Sequence, residues 1–211
     1  MLRLTAPGAT SAPTLTQALI PARSWLLQAA LVLLGSVVVA LCAQVTIPIQ
    51  PVPITGSTFG VLVVGTTFGS RRGALALLAY LAEGLGGLPV FQGGNNAWSL
   101  TRSGEPYILG STLGFLVGFV LAAFVVGWLV EHWALDRTVW SMAALMLVGN
   151  VALYVPGLIW LWMWLPVHGL PTPVLQAGLI PFIPGDLAKL LLAALVVPAA
   201  WQLAPPGASA E

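Results

Sequence analysis

Asp186 and Lys189 stand three residues apart in the stretch PFIPGDLAKLLLAALVVPAA, residues 181–200, at the head of an otherwise apolar run. On a helix, positions i and i+3 share a face, so this carboxylate and ammonium can neutralise each other while pointing together into a bundle interior or a polar cavity. A charged side chain at bilayer depth costs roughly 2.5–3.5 kcal/mol on insertion scales, and such residues are retained where they have a partner or a task. Pro184 and Gly185, just before the aspartate, suit a first helical turn, where proline pre-sets φ and its missing N–H costs nothing. The free N–H groups of that turn favour anionic ligand groups nearby. A plainer reading of the same residues is a surface ion pair that snorkels to the interface.

Few other side chains can do chemistry. The polar groups that accompany the pair are Glu83, Gln92, Asn95, Asn96, Arg102, Asn150 and Tyr154, set among glycines and aromatics. Apolar walls with a few placed donors and acceptors are the composition of a small-molecule site. No HExxH, GxSxG or P-loop motif occurs, and His132 and His168 fall on opposite sides of the membrane in the topology below, so no enzyme is expected. The single cysteine, Cys42, supports neither a disulfide framework nor a cysteine metal site, and neither metal nor cofactor is expected. A net charge of +1 without a basic cluster sets nucleic acid aside as a partner. The chain carries no ATPase motif and no inverted repeat of broken helices, so transport would be passive or driven by other subunits.

The scaffold that positions these groups is legible in composition. Hydrophobic residues make up 58% of the chain and charged ones 6%, against about 25% charged in soluble domains. Several runs approach the roughly 20 residues a helix needs to cross hydrocarbon, which predicts an all-α integral membrane protein of six transmembrane helices in a compact bundle. Residues 1–24 read as a flexible polar N-terminal tail without the apolar core of a signal peptide, 25–204 as the membrane domain and 205–211 as a C-terminal tail. The spans are expected at about 25–45, 57–69, 74–87, 108–130 and 139–164, with the sixth in the stretch 181–200 that carries Asp186 and Lys189. The second is too short to cross upright in contact with lipid and is expected inside the protein. A tight basic turn is expected at 70–73, and the glycines and alanines at 110, 114, 118, 122 and 123 predict a closely packed face.

Between the spans lie two unusual loops. Residues 46–55, TIPIQPVPIT, carry three prolines that forbid a regular helix, and residues 84–106 form a glycine- and aromatic-rich segment read as a lid. Trp160, Trp162 and Trp164 resemble an interfacial belt, and His168 is expected in water. With the N-terminus in the cytoplasm, Arg3, Arg23, Arg71, Arg72 and Arg137 lie inside and only Arg102 lies outside. The proline loop, the lid, the tryptophans and the Asp186 end of the last span then meet on the outer face of a multi-pass plasma-membrane protein.

These pieces together resemble the biotin-specific S components of energy-coupling-factor (ECF) transporters, the BioY family. The resemblance runs from about residue 44 to 195 and is carried by IPIQPVPIT at 47–55, VLVVGTTFGSRRGALALLAYLAEGLGGLPVFQGG at 61–94, GSTLGFLVGF at 110–119, YVPGLIWL at 154–161 and PFIPGDLAKLLLAA at 181–194. It implies a six-helix subunit that captures biotin from outside for a transmembrane coupling subunit and two ATPases. It also implies substrate contacts at Asp186 and Lys189, amide contacts from Asn95 or Asn96, and ring walls from Tyr154 and Phe91. Ser36 and Ala40, four residues apart, resemble the small-residue face that docks the coupling subunit. The chain departs from the family at Gly110-Ser111-Thr112-Leu113-Gly114-Phe115, where GPTGGY is usual, and at Thr55-Gly56-Ser57-Thr58, where many members have TLQT.

Three alternatives remain at this point. An S component for another small vitamin keeps the bundle and changes the pocket, an intramembrane enzyme would use Glu83 or Asp186 as a base, and a structural subunit would leave the buried charges unexplained.

Overall fold

The computed structural model describes residues 12–20 and 24–203. Eight α-helices occur among them: α1 (Leu15–Leu19), α2 (Trp25–Gln44), α3 (Ser57–Phe68), α4 (Ser70–Leu85), α5 (Leu113–Trp133), α6 (Val139–Val167), α7 (Val174–Gly178) and α8 (Ile183–Ala200). The six long ones form the expected bundle. The helices Trp25–Gln44, Leu113–Trp133, Val139–Val167 and the run Val174–Leu203 are each long and apolar enough to cross a membrane. α3 has only 12 residues and seven of them are buried, as a span hidden from lipid requires. It packs against α2, α4, α5 and α8 at the centre.

Small residues set how close the helices lie. A Cβ on Gly114 or Gly118 of α5 would run into the backbone of α6 at Pro156 and Leu153, and Ala122 and Ala123 are completely buried. This is the packed face expected from the spacing along the fourth span. Its helix starts at Leu113 and not near 108, because Tyr107–Leu109 makes a separate 3₁₀ turn and Gly110 is extended.

The predicted basic turn at 70–73 is also corrected. The chain reverses at Gly69 alone, with φ at 85°, and Arg71 and Arg72 already lie within α4. Glu131 of α5 makes this possible: its carboxylate accepts from the Ser70 N–H at 2.9 Å and from the Ser70 hydroxyl at 2.6 Å, so a carboxylate from another helix caps α4.

The described part of the N-terminal segment is docked and does not run free as a tail. Thr14 and Gln17 form a capping box that starts α1, and Thr14 and Leu15 are buried. The Ala12 N–H donates to the Glu131 carbonyl at 2.7 Å, and Arg137 Nη2 donates to the Pro13 carbonyl at 3.0 Å. Arg3 and Arg23, and the C-terminal residues 204–211, lie outside the described residues.

The same end of the bundle holds a buried cluster. Asp136, in the turn between α5 and α6, accepts from Trp201 Nε1 at 2.7 Å and from Arg137 Nε at 3.3 Å, while the Arg137 guanidinium lies 3.4 Å above the Trp201 ring. Burial holds the Asp136 carboxyl above the ordinary carboxylate range, although Trp201 and Arg137 pull it back. A carboxyl whose folded-state pKa is raised binds more protons in the folded protein than in the unfolded one. Its contribution to stability is therefore lost as pH rises from the ordinary carboxylate range through the raised value. The melting midpoint of the wild type is expected to fall relative to that of Asp136→Asn as pH is raised from about 4 to 7. Thermal scans of both proteins across that range check this, and a constant difference between them would refute it.

Candidate functional site

At the other end of the bundle α2, α4 and α6 finish and α3, α5 and α8 begin, so the proline loop, the lid and the head of α8 converge there. The proline loop closes through a two-residue antiparallel ladder, Thr46–Ile47 (β1) against Ile54–Thr55 (β2), and the Gln50–Pro51 bond is cis. Ser111 donates to the Pro51 carbonyl at 2.6 Å and so ties this loop to the entry of α5. The Ser111 departure from the family pattern therefore has a structural use within the loop.

The lid is fastened at several points. Gln44, at the end of α2, donates to the Phe91 carbonyl at 3.2 Å and accepts from the Gly94 N–H at 3.0 Å. Trp160 donates to the Gly110 carbonyl at 2.9 Å, and Trp164 donates to Glu105 Oε1 at 3.0 Å. His168 stacks on Trp164 with centroids 3.9 Å apart and lies 3.2 Å from Glu105 Oε2. The expected belt is thus divided: Trp162 points outward, whereas Trp164 holds the lid and Trp160 the Gly110 carbonyl just before α5. His168, expected in water, is part of the same fastening.

Beneath these loops lies an apolar cavity enclosing about 540 Å³ of empty space, part of it open to solvent. Tyr80, Tyr107, Phe115, Tyr154 and Phe182 are among its lining residues, and Lys189 is its one charged lining residue among those described. Asp186 is only 8% exposed; its carboxylate accepts from the Tyr154 hydroxyl and, at 3.1 Å, from Lys189 Nζ. Lys189 also donates to the Thr58 hydroxyl at 2.7 Å. The ion pair therefore faces inward, and the snorkelling alternative does not hold. Its charge is balanced locally, which is what makes a carboxylate tolerable in an apolar surround. Such a group of neighbouring acceptors and donors suits a neutral ligand that presents N–H groups beside a carbonyl.

The other expected site residues are distributed unevenly. Asn95 lines a second cavity that opens above the first and donates to the Gln92 carbonyl at 2.7 Å. Asn96 lines neither cavity: its amide binds the Trp98 and Ser99 N–H groups at 2.9 and 3.0 Å and the Gly87 carbonyl at 3.0 Å, so it shapes the lid. Phe91 has no exposure and lies between Tyr80 and Tyr107, at centroid distances of 5.2 and 5.4 Å, in a space that a side chain on Gly84 would fill. It supports two wall residues and is not itself a wall. Thr58, the second acceptor for Lys189, carried no signal in the sequence, because it lies 131 positions away.

Ser36 requires a correction. It is completely buried, and its hydroxyl donates to Glu83 Oε1 at 2.7 Å and to the Leu33 carbonyl at 2.8 Å. Ala40 is half-buried against the core. The Ser36 side chain thus faces α4, where it satisfies the intramembrane Glu83, and is not part of an open docking face. Ser36→Ala is expected to lower stability by about 1–3 kcal/mol, since it strips a partner from a carboxylate held within the bundle. Thermal unfolding measures this, and an unchanged midpoint would show that Glu83 finds another donor.

Comparisons with known proteins agree with this architecture. A model of the BioY family matches residues 13–206. Over 172 residues the chain is 37% identical to the biotin transporter BioY of Rhizobium etli, covering 78% of this chain and 87% of that protein. It is also 37% identical over 183 residues to the biotin transporter BioY of Rhodobacter capsulatus, covering 82% of this chain and 92% of that one. Among solved structures, the crystal structure of the S-component for biotin from an ECF-type ABC transporter superposes with a TM-score of 0.69 at 24% identity, over 84% of this chain and 92% of that chain. That likeness carries the fold. With a multi-pass apolar bundle and matches that span most of both partners, this chain belongs to the BioY family.

Proposed function

We propose that this chain is the membrane-embedded subunit that captures biotin from the outer face of the plasma membrane and delivers it for ATP-driven import. Its partners on this reading are an ECF transmembrane coupling subunit and two ATPase subunits. The names of its relatives support the substrate, and the observation that carries the reading is the buried Asp186, held by Tyr154 and Lys189 beside an apolar cavity. Biotin's fused ring presents two ureido N–H donors and one carbonyl acceptor on an apolar body. The Asp186 carboxylate matches the donors, Lys189 and Thr58 match the carbonyl, and Tyr154 and Phe115 supply ring contact. Asn95 borders the mouth, while Asn96 and Phe91 act by shaping the lid and its aromatic stack.

Arg71, Arg72 and Arg137 lie at the end away from the cavities and Arg102 at the cavity end, which supports a cytoplasmic N-terminus. Calorimetric titration of the detergent-purified protein with biotin, thiamin and riboflavin tests the substrate. Tight binding of biotin alone is expected. Binding of another vitamin in its place would redirect attention to Ser57 and Phe115, the departures from the family pattern that line the cavity.

A further inference from the structure

We propose that His168 and Glu105 form a proton-dependent latch on the lid: the protonated imidazole pins the lid to the end of α6 and slows ligand exchange, and the neutral imidazole releases it. This rests on the biotin reading above for its ligand and adds a regulation of the same site by the pH on the outer face.

His168 stands at the end of α6, and both of its ring nitrogens face acceptors. Nδ1 lies 3.0 Å from the Trp164 carbonyl, one helical turn back, and Nε2 lies 3.2 Å from Glu105 Oε2 on the lid. A neutral imidazole carries one N–H and one lone pair, so it donates to one of these oxygens and turns its lone pair on the other. The imidazolium donates to both. Its ring also stacks on the Trp164 indole at a centroid distance of 3.9 Å and an interplanar angle of 18°, where a π face favours a positive ring. Glu105 is oriented for the contact from its own side, because its Oε1 accepts from Trp164 Nε1 at 3.0 Å. Among the described residues Glu105 and His168 form an ion pair only with each other, and Arg102, the other charged residue lining the outer cavity, joins neither.

The latch sits on the way in and out. Glu105 and Trp164 line the outer cavity, which shares Pro53, Gln92, Tyr107 and Thr112 with the inner one, so a ligand held beneath passes between them. The lid turn that carries Glu105 is closed on itself: the Thr101 N–H donates to the Glu105 carbonyl at 2.8 Å and the Gly104 N–H to the Thr101 carbonyl at 3.0 Å. Residues 101–105 therefore move as one piece, and the Glu105 side chain supplies their hydrogen bonds to α6 among the described residues. Loss of the proton removes the His168 bond and leaves the Trp164 bond, so the turn is loosened and not cast off. The pinned form binds one proton more than the released form. It is therefore favoured as pH falls and gives way as pH rises through the range of about 5–8 in which an imidazole changes charge. A pinned turn obstructs passage in both directions, so the rates of entry and exit change more than the affinity.

The test is the dissociation of radiolabelled biotin from the detergent-purified protein, chased with unlabelled biotin at about pH 5.5 and pH 8, where the biotin carboxyl is ionised throughout. In the wild type the rate is expected to be about fivefold higher at the upper pH, the scale of one partly exposed charge pair. His168→Gln and Glu105→Gln should each flatten this dependence, and the wild-type Kd should differ by less than about twofold between the two conditions. A wild-type rate that ignores pH, or a His168→Gln protein that keeps the wild-type slope, would overturn the latch. A second readout needs no ligand. An imidazolium stacked on an indole quenches its emission, so acidification should dim the wild type by a step that His168→Gln lacks. If the folded wild type binds no biotin at either pH, the biotin reading fails; the emission step then decides the latch, and its absence would overturn that as well.

Discussion

Asp186→Asn is expected to abolish tight biotin binding while leaving the bundle assembled. Among the described residues its carboxylate accepts from Tyr154 and Lys189, and on the proposed reading its remaining lone pairs are those a ureido ligand would use. An amide of the same shape keeps one acceptor and puts an NH₂ where a ligand N–H must approach. It also removes the charge that strengthens each hydrogen bond in a water-poor site. Losing one member of a buried, hydrogen-bonded charged contact costs about 2–5 kcal/mol, or roughly 30- to several-thousand-fold in Kd. Lys189 keeps Thr58 at 2.7 Å as an acceptor, so the ammonium is not stranded and folding should survive. Titration of both proteins, each with a thermal scan, separates the outcomes. Unchanged affinity in a folded variant would remove Asp186 from the site, and a variant that fails to fold would make the pair structural.

Gly65→Leu is expected to cause the largest loss of stability. A Cβ on Gly65 would sit 2.6 Å from Val126 Cγ2, 2.7 Å from the Ala123 carbonyl oxygen and 2.8 Å from Ala123 Cα, and two of these are backbone atoms that cannot turn aside. The Cβ position of Gly73 on α4 falls 3.0 Å from Gly65 Cα, so three helices close on one point. Overpacking a dense core costs about 1–3 kcal/mol, and more where backbone must move. A loss of about 3 kcal/mol or more is therefore expected, visible as a depressed melting midpoint or as aggregation in detergent. Leu121→Ala, on the exposed face of α5, serves as the control and should change little. A normal midpoint for Gly65→Leu would mean that α3 and α5 separate without cost.

The features legible before the structure were those that each segment settles with its surroundings alone. Hydrocarbon demands that backbone groups be satisfied within a helix, so apolar length located the spans, and the shortness of α3 indicated that it must be shielded. Proline at three places in residues 46–55 excluded a helix there, and the spacing of glycines on α5 marked its packed face. The ends of elements were less legible: α4 begins at Ser70 because Glu131 caps it, and that carboxylate lies 61 positions away.

Asp186 and Lys189 followed from sequence because the i,i+3 geometry of one helix brings them together and the bilayer makes such residues conspicuous. Everything that depends on which segment meets which was decided by tertiary structure. Thr58 accepts from Lys189, Ser36 faces Glu83 and not a partner subunit, Phe91 supports Tyr107 from behind, and Trp164 with His168 fastens Glu105 of the lid. The sequence by itself determined the membrane helices and the charged pair, since helix periodicity and solvation in lipid act within one segment. The inward direction of that pair and the division of the site into two cavities were determined by the packing of glycine and alanine faces, because a hydrogen bond between distant residues exists only once those faces have set the distance.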